Sequence, residues 1–173
     1  METLKKYYAF VPAKNGEVTF GLERVADIED EIRELHVEHY EETEEGYLGT
    51  PFNPSYDRYK ASEEAGQFIL FTVRIGSDLA GYLQYWTFEG MYTNAKQAKE
   101  DAFFIRKQFR GKKLATPLLS YAEDALRQLG CSTIGMTSKQ PVGGADIGEF
   151  LMKRGYSKVA VYYVKKLEKK DVL

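Results

Sequence analysis

The residues with the most chemical content lie in one run, Phe103-Phe104-Ile105-Arg106-Lys107-Gln108-Phe109-Arg110-Gly111-Lys112-Lys113-Leu114-Ala115-Thr116-Pro117-Leu118-Leu119. An apolar strand here gives way to a basic, glycine-containing turn and then to an apolar helix. That order aims several unpaired backbone N–H groups at one point outside the helix N-terminus, where phosphate oxygens are the natural ligand. Arg110, Lys112 and Lys113 add charge at that point, and Gly111 lets the backbone come close to whatever binds. Taken alone, the same letters describe a solvated basic turn. The order of the surrounding elements decides between the two readings.

The segment resembles the signature of the GNAT superfamily of N-acetyltransferases. That signature is Arg or Gln, two free positions, Gly, one free position, then Gly or Ala, and it holds the pyrophosphate of coenzyme A. Arg110 and Ala115 fill its first and last positions, and Lys113 stands where Gly is usual. The likeness extends in layout over residues 17–167, with the closing run Phe150-Leu151-Met152-Lys153-Arg154-Gly155-Tyr156 in the family's order. It implies acetyl-CoA as donor and CoA as product. Pantetheine would pair with the backbone of Phe104, Ile105 and Arg106, and the pyrophosphate would lie among Arg110, Gly111, Lys112, Lys113, Leu114, Ala115 and Thr116. A weaker likeness to GNAT-like proteins of tailed bacteriophages would place the chain in a host cytoplasm, and it implies no particular acceptor.

Moving acetyl from a thioester to an amine requires a neutral amine and then a proton for the departing thiolate. The resemblance puts a carboxylate at the start of the strand before the loop, where Asp101 and Glu100 stand side by side. Strand alternation turns only one of them toward the cleft. Asp101 is the expected base, set against the plainer reading of a carboxylate that solvates a strand end. The Tyr that protonates the thiolate in the family is replaced by Leu151. Ser138 and Tyr156 are the candidate donors, with Tyr162, Tyr163 and water behind them. The loss of that Tyr also motivates the alternative of a non-catalytic acyl-CoA-binding or protein-interaction module on the same scaffold.

Between Ala26 and Gly66 stand 13 Asp or Glu and three Arg or Lys. The run Glu38-His39-Tyr40-Glu41-Glu42-Thr43-Glu44-Glu45 and the aromatic loop Tyr47–Tyr59 fall where the family builds its acceptor site. A cationic small-molecule amine or protein amine would be drawn there, although a solvated acidic helix end accounts for the charge equally well. Elsewhere the balance is even, 24 Lys and Arg against 26 Asp and Glu. Neither nucleic acid nor an anionic membrane is an expected partner, and a homodimer is left open. Cys131 is the only cysteine, and His36 with His39 lacks further ligands, so neither a disulfide nor a metal is expected. The N-terminus lacks an apolar signal core, and a cytoplasmic location follows by default.

These groups need elements to position them. The 173 residues, 43% hydrophobic, suit a single domain over 1–173. A strand is expected over Glu17–Val25, then a helix from Asp27, its N-cap, with Ile28, Ile32, Leu35 and His39 on one face. A short helix over Tyr56–Glu64 precedes a hairpin of Gln67–Ile75 and Leu79–Phe88. Ala102–Arg106 is the next strand, and a helix starting near Lys113 stops at Gly130. A strand over Ser132–Ser138, a helix over Asp146–Arg154 ended by Gly155, and a last strand over Tyr156–Leu167 complete the chain. The order of elements gives an α/β (α+β) class, and the family resemblance implies a central mixed, mostly antiparallel sheet of about six or seven strands flanked by about four helices and splayed at the acyl-CoA site.

Overall fold

Strand-forming residues from Phe68 to Glu89 make the hairpin on which the rest of the protein is laid. The computed structural model describes residues 13–15, 17–44, 50–138 and 147–165. In chain order the elements are β1 (Ala13–Asn15), β2 (Val18–Leu22), α1 (Glu29–His39) running into a π-helical turn (Tyr40–Glu44), α2 (Tyr56–Glu64), β3 (Phe68–Ile75), β4 (Asp78–Glu89), β5 (Lys96–Ile105), a 3₁₀ turn (Lys107–Phe109), α3 (Ala115–Gln128), β6 (Thr133–Gly135) and α4 (Gly148–Lys153). The six strands form one sheet in the order β1-β2-β3-β4-β5-β6. Every neighbouring pair is antiparallel except β5 with β6, which is parallel. The expected mixed, mostly antiparallel sheet is present.

Both faces of the central strands are covered, which is why Phe68–Val73, apolar but for Thr72, is buried throughout. One face carries α3, whose Leu118, Leu119, Ala122, Ala125 and Leu126 pack on Phe71, Val73, Leu83 and Tyr85. The other carries α1 and α2, with Ile32, Leu35 and Tyr56 against Phe68, Leu70, Tyr82 and Phe104. Each fully buried Leu here contributes roughly 1.5–3 kcal/mol. Where β4 meets the end of β5, a Cβ on Gly81 would lie 2.5 Å from Ile105 Cδ1 and 2.6 Å from the Phe104 carbonyl oxygen. Glycine at that position lets the strand that feeds the basic loop close on its neighbour. No described helix is long and apolar enough to cross a membrane.

Several boundaries differ from the sequence reading. Ile28, not Asp27, caps α1, and no side chain bonds its first turn. The Asp27 N–H is taken by the Arg24 carbonyl in a turn, which carries Asp27 out of reach. β5 begins at Lys96, six residues before the expected start, because pairing with β4 supplies order that the charged run Lys96–Asp101 does not signal by itself. β6 is shorter than Ser132–Ser138. The expected last strand is absent over 156–165, where Val159, Val161 and Tyr163 are 90%, 61% and 86% exposed. Alternation gives a segment strand propensity, but a strand also needs a ladder, and residues 156–165 do not pair with the outer edge of the three-residue β6. Leu167 and Asp146 lie outside the described residues. Pro117 sits in the first turn of α3, and Gly130, with φ +84, closes that helix, its N–H bonding the Arg127 carbonyl and that of Cys131 the Leu126 carbonyl.

Under α1 the two histidines are engaged separately rather than as a pair. The Gln84 amide donates to His36 Nε2 at 2.7 Å, leaving His36 Nδ1–H to donate to the Tyr56 hydroxyl at 3.0 Å. His39 Nδ1 meets the Tyr82 hydroxyl at 2.6 Å. Burial, with a smaller push from the Arg33 charge, drives His36 down to about 4. Between the ordinary value near 6.5 and about 4 the unfolded chain takes a proton that the folded one refuses, so His36 stability is lost as pH falls through that window. His36→Gln should therefore abolish about 3 kcal/mol of acid sensitivity relative to the parent, read from urea unfolding free energies at pH 7 and pH 4.

Candidate active site

β5 and β6 pair only at Gln97↔Thr133, Ala98↔Ile134 and Lys99↔Gly135, after which they part. β5 stays bonded to β4 along its whole length, so its other edge faces an open wedge from Glu100 to Ile105. The Glu100 carboxylate spans the mouth of the wedge and accepts the Thr137 N–H at 3.0 Å. Burial pushes that carboxyl up to about 7 against the pull of the Thr137 bonds, and the neighbouring Asp101 charge adds to the rise.

Asp101 occupies a β-bulge: Gln84 pairs with Ala102 and Tyr85 with Glu100, leaving Asp101 without an opposite residue on β4. The bulge shifts the alternation, so Ala98 packs with the α3 face whereas Ala102 and Phe104 pack with the α1–α2 face. Asp101 goes with the latter. Burial raises its pKa against the opposing pull of the Trp86 indole, and the residue keeps solvent exposure. Burial first, and the Asp101 charge next, push the Tyr59 hydroxyl up to about 12. The two adjacent carboxylates thus serve different faces of the sheet.

The predicted cofactor residues divide by the ladder. Arg106 N–H bonds the Ala80 carbonyl at 2.9 Å. Backbone groups of alternate residues point to opposite edges, so those of Phe104 also turn to β4, whereas those of Phe103 and Ile105 turn to the wedge. Phe103 was missed because parity depends on register, which the sequence does not reveal. The Arg106 side chain is tied to α1, with Nε to Glu38 at 3.0 Å and an amine to Glu34 at 3.2 Å. Arg110 forms a fork on Glu42 at 2.7 and 2.9 Å, and its Nε bonds the Ile105 carbonyl at 2.8 Å. The acidic run is therefore not a bare cation trap: Glu34, Glu38 and Glu42 are paired with arginines. Glu45 and residues 47–49 of the aromatic loop lie outside the described residues.

Beyond Arg110 the turn is open. Gly111, Lys112 and Lys113 are exposed, Lys112 lies over the Phe109 ring at 5.3 Å, and Leu114 is buried. Leu114 precedes Ala115 and Thr116 at the start of α3, and no side chain caps that start. Among the described residues, the N–H groups of Gly111, Lys113, Ala115 and Thr116 donate to no backbone carbonyl. A helix start left uncapped beside basic residues fits an anion such as a pyrophosphate.

The candidate acids are not brought to Asp101. The Tyr156 hydroxyl donates to Glu123 at 2.9 Å on the α3 face, and burial, more than the Glu123 bond, holds its pKa far above the usual value. Tyr156 also touches Tyr85, the residue paired with Glu100. Ser138 is half-buried at the end of the diverging arm. Leu151 is 6% exposed in the α3-side core, and Tyr162 and Tyr163 lie out on the exposed tail.

The sequence profile of the Acetyltransferase (GNAT) family matches residues 28–145. Comparison with curated proteins gives no match. Among solved structures, an aminoglycoside acetyltransferase from an uncultured soil metagenomic sample is similar over 87% of this chain and 99% of its own, at 14% identity and TM-score 0.68. A ribosomal-protein-alanine N-acetyltransferase from Brucella melitensis biovar Abortus 2308 is similar over 87% and 99%, at 14% identity and TM-score 0.66. Glucosamine-6-phosphate N-acetyltransferase from Arabidopsis thaliana covers 87% and 99%, at 14% identity and TM-score 0.60. At identities this low the structural likeness shows the fold alone.

Lys113 has φ +57, in the left-handed region where a Cβ crowds the following carbonyl, at roughly 1–2 kcal/mol. Lys113→Gly should unfold at the same or higher urea concentration than the parent, since relief of that strain offsets the extra freedom of glycine in the unfolded chain. Lys113→Val should lose about 1–2 kcal/mol. Equal stability for both variants would show that the turn does not impose this backbone angle.

Proposed function

Because the chain belongs to the acetyltransferase (GNAT) family, we propose that it transfers the acetyl group of acetyl-CoA to a primary amine by direct attack. The observation that carries this reading is the wedge between β5 and β6, with a carboxylate on either face of its wall and an uncapped, basic helix start at its end. In this reading the free N–H groups of Gly111, Lys113, Ala115 and Thr116 hold the pyrophosphate, and Arg110 exchanges Glu42 for a phosphate oxygen. Phe103 and Ile105 offer their outward backbone groups to the pantetheine amides, as an added strand would.

Asp101 receives the amine in the cleft and takes its proton. The nitrogen lone pair then forms the bond to the acetyl carbon while the carbon–sulfur bond breaks, and the thiolate takes a proton from water or from Ser138. The excess proton on the new amide nitrogen returns to that donor, leaving neutral amide and free thiol while Asp101 sheds its proton to solvent. Tyr156 is a poorer acid, being tied to Glu123 and raised by burial. Glu100 is the second reading for the base, favoured by a carboxyl held up to about 7 at the mouth of the wedge. The family likeness leaves the acceptor open. An acyl-CoA-binding module without turnover would share the donor site and differ only in activity.

Saturating acetyl-CoA should raise the melting temperature, and Gly111→Pro should abolish the rise, because proline removes an N–H and cannot adopt the φ of +83 found there. Asp101→Asn should lower turnover about 10²–10⁴-fold while leaving acetyl-CoA affinity intact. Full activity in that variant, with Glu100→Gln inactive, would move the base to Glu100. In that case the activity of the parent should climb as pH rises through about 7, where Glu100 ionises. A thermal shift without acetylation of any amine would leave the binding module.

A further inference from the structure

Beside Asp101 lies an aromatic surface that the proton transfer does not use. Tyr59 on α2 and Trp86 on β4 lie ring against ring, with centroids 6.2 Å apart and planes 24° from parallel. Phe68 backs both, at 4.9 Å from Tyr59 and 5.0 Å from Trp86. Tyr59 and Trp86 are each only half-buried, so part of each ring faces solvent. Asp101 sits in the β5 bulge against the Gln84–Tyr85 step, next to Trp86 on β4, whose indole acts on its carboxyl.

Cations flank this wall: Lys99 on β5 pairs directly across from Trp86, and Arg58 precedes Tyr59 on α2. The carboxylates that α1 and its π-helical turn direct at the strand ends are held by cations: Glu31 by Arg74 at 2.7 Å, Glu34 and Glu38 by Arg106, and Glu42 by Arg110. No ion pair to Asp101 is found among the described residues. One ammonium has a counter-ion in Asp101, and a second charge on the same ligand is repelled by Lys99 and Arg58. Aromatic faces suit both an ammonium, through the ring quadrupole, and the apolar body that carries it.

We propose that the acceptor is a monoamine whose ammonium docks on Asp101 and whose apolar or aromatic body lies on Tyr59 and Trp86, in preference to a polyamine or a multiply charged aminosugar. The proposal rests on the acetyltransferase reading for its chemistry, but its binding contacts can be measured separately. Trp86 is the only tryptophan in the chain, so its fluorescence reports on the wall itself.

Phenethylamine, 2-phenylethanol and spermidine should be titrated into the full chain with and without acetyl-CoA, and the two amines also assayed for acetylation. Phenethylamine is expected to change Trp86 emission saturably, with a Kd at least about tenfold below those of the other two probes. Tyr59→Leu, which keeps an apolar contact on Phe68, and Tyr59→Ala should each weaken phenethylamine binding and its kcat/KM about tenfold, with the acetyl-CoA melting shift unchanged. Tighter spermidine binding, no saturable response to phenethylamine, or equal losses for every probe in the Tyr59 variants would overturn the proposal. Saturable phenethylamine binding without acetylation of any amine would overturn the acetyltransferase reading and leave this site standing. Acetylation of spermidine but not phenethylamine would do the reverse.

Discussion

The parallel ladder between β5 and β6 ends at Lys99 and Gly135, and past that pair each strand carries backbone groups with no strand to receive them. Such groups are costly to leave dry and unpaired, so the gap must be filled by side chains, water or a ligand. Two side chains fill part of it: Glu100 accepts the Thr137 N–H, and Arg110 Nε donates to the Ile105 carbonyl. They stand where a continuous sheet would place a strand, and they present the bond types that an extended chain of amides offers. Closing the wedge with more β6 pairing would remove a stretch of sheet edge that runs into an uncapped helix start.

The helix–turn from Glu29 to Glu44 is held to the sheet by charge as well as by Ile32 and Leu35. Arg74 at the end of β3, Arg106 after β5 and Arg110 in the basic turn meet successive carboxylates along it: Glu31, then Glu34 and Glu38, then Glu42. Exposed pairs of this kind are worth at most about 1 kcal/mol each, so their larger effect is on position and local charge. They neutralise what looks in the sequence like an acidic magnet for cations, and they leave Asp101 as the distinctive charge beside the aromatic wall. The Arg110 fork on Glu42 also joins the basic turn to the end of α1. Any phosphate that takes Arg110 must compete with a bidentate carboxylate.

What the sequence revealed was what local chemistry dictates. Ser55 accepts the Arg58 N–H and starts α2 at Tyr56, as read, and the glycines at 130 and 155 adopt positive φ where each helix was expected to stop. The basic turn and the helix after it were legible for the same reason, because glycine, basic side chains and helical periodicity act over a few residues. Pairing was not legible. The charged half of β5 is a strand only because β4 lies beside it, the bulge at Asp101 appears only once the register is known, and the choice of Phe103 over Phe104 at the wedge follows from that register. Tyr59 and Trp86, 27 residues apart, became one wall through packing that no spacing rule encodes. The tail over 156–165 failed in the opposite direction: its alternation is strong, but no edge of the described sheet receives it.

At the site, Lys113 in a left-handed backbone and Glu100 half-buried at the wedge run against the local rules, as Asn94 with φ +49 and the buried Glu63 do away from it. Glu100 also bears on how the fold answers to acid. Its folded pKa lies above the unfolded one, so the folded chain holds more protons between about 4.5 and 7, and its contribution to stability falls as pH rises through that interval. His36 has the opposite sign over an overlapping interval, losing stability as pH falls from about 6.5 to 4. Between about 4.5 and 6.5 the two slopes oppose one another, and the parent's stability is flatter with pH than either group alone would make it. Removing one group exposes the slope of the other, so a pH-dependent change in either single variant reports on both sides of the sheet.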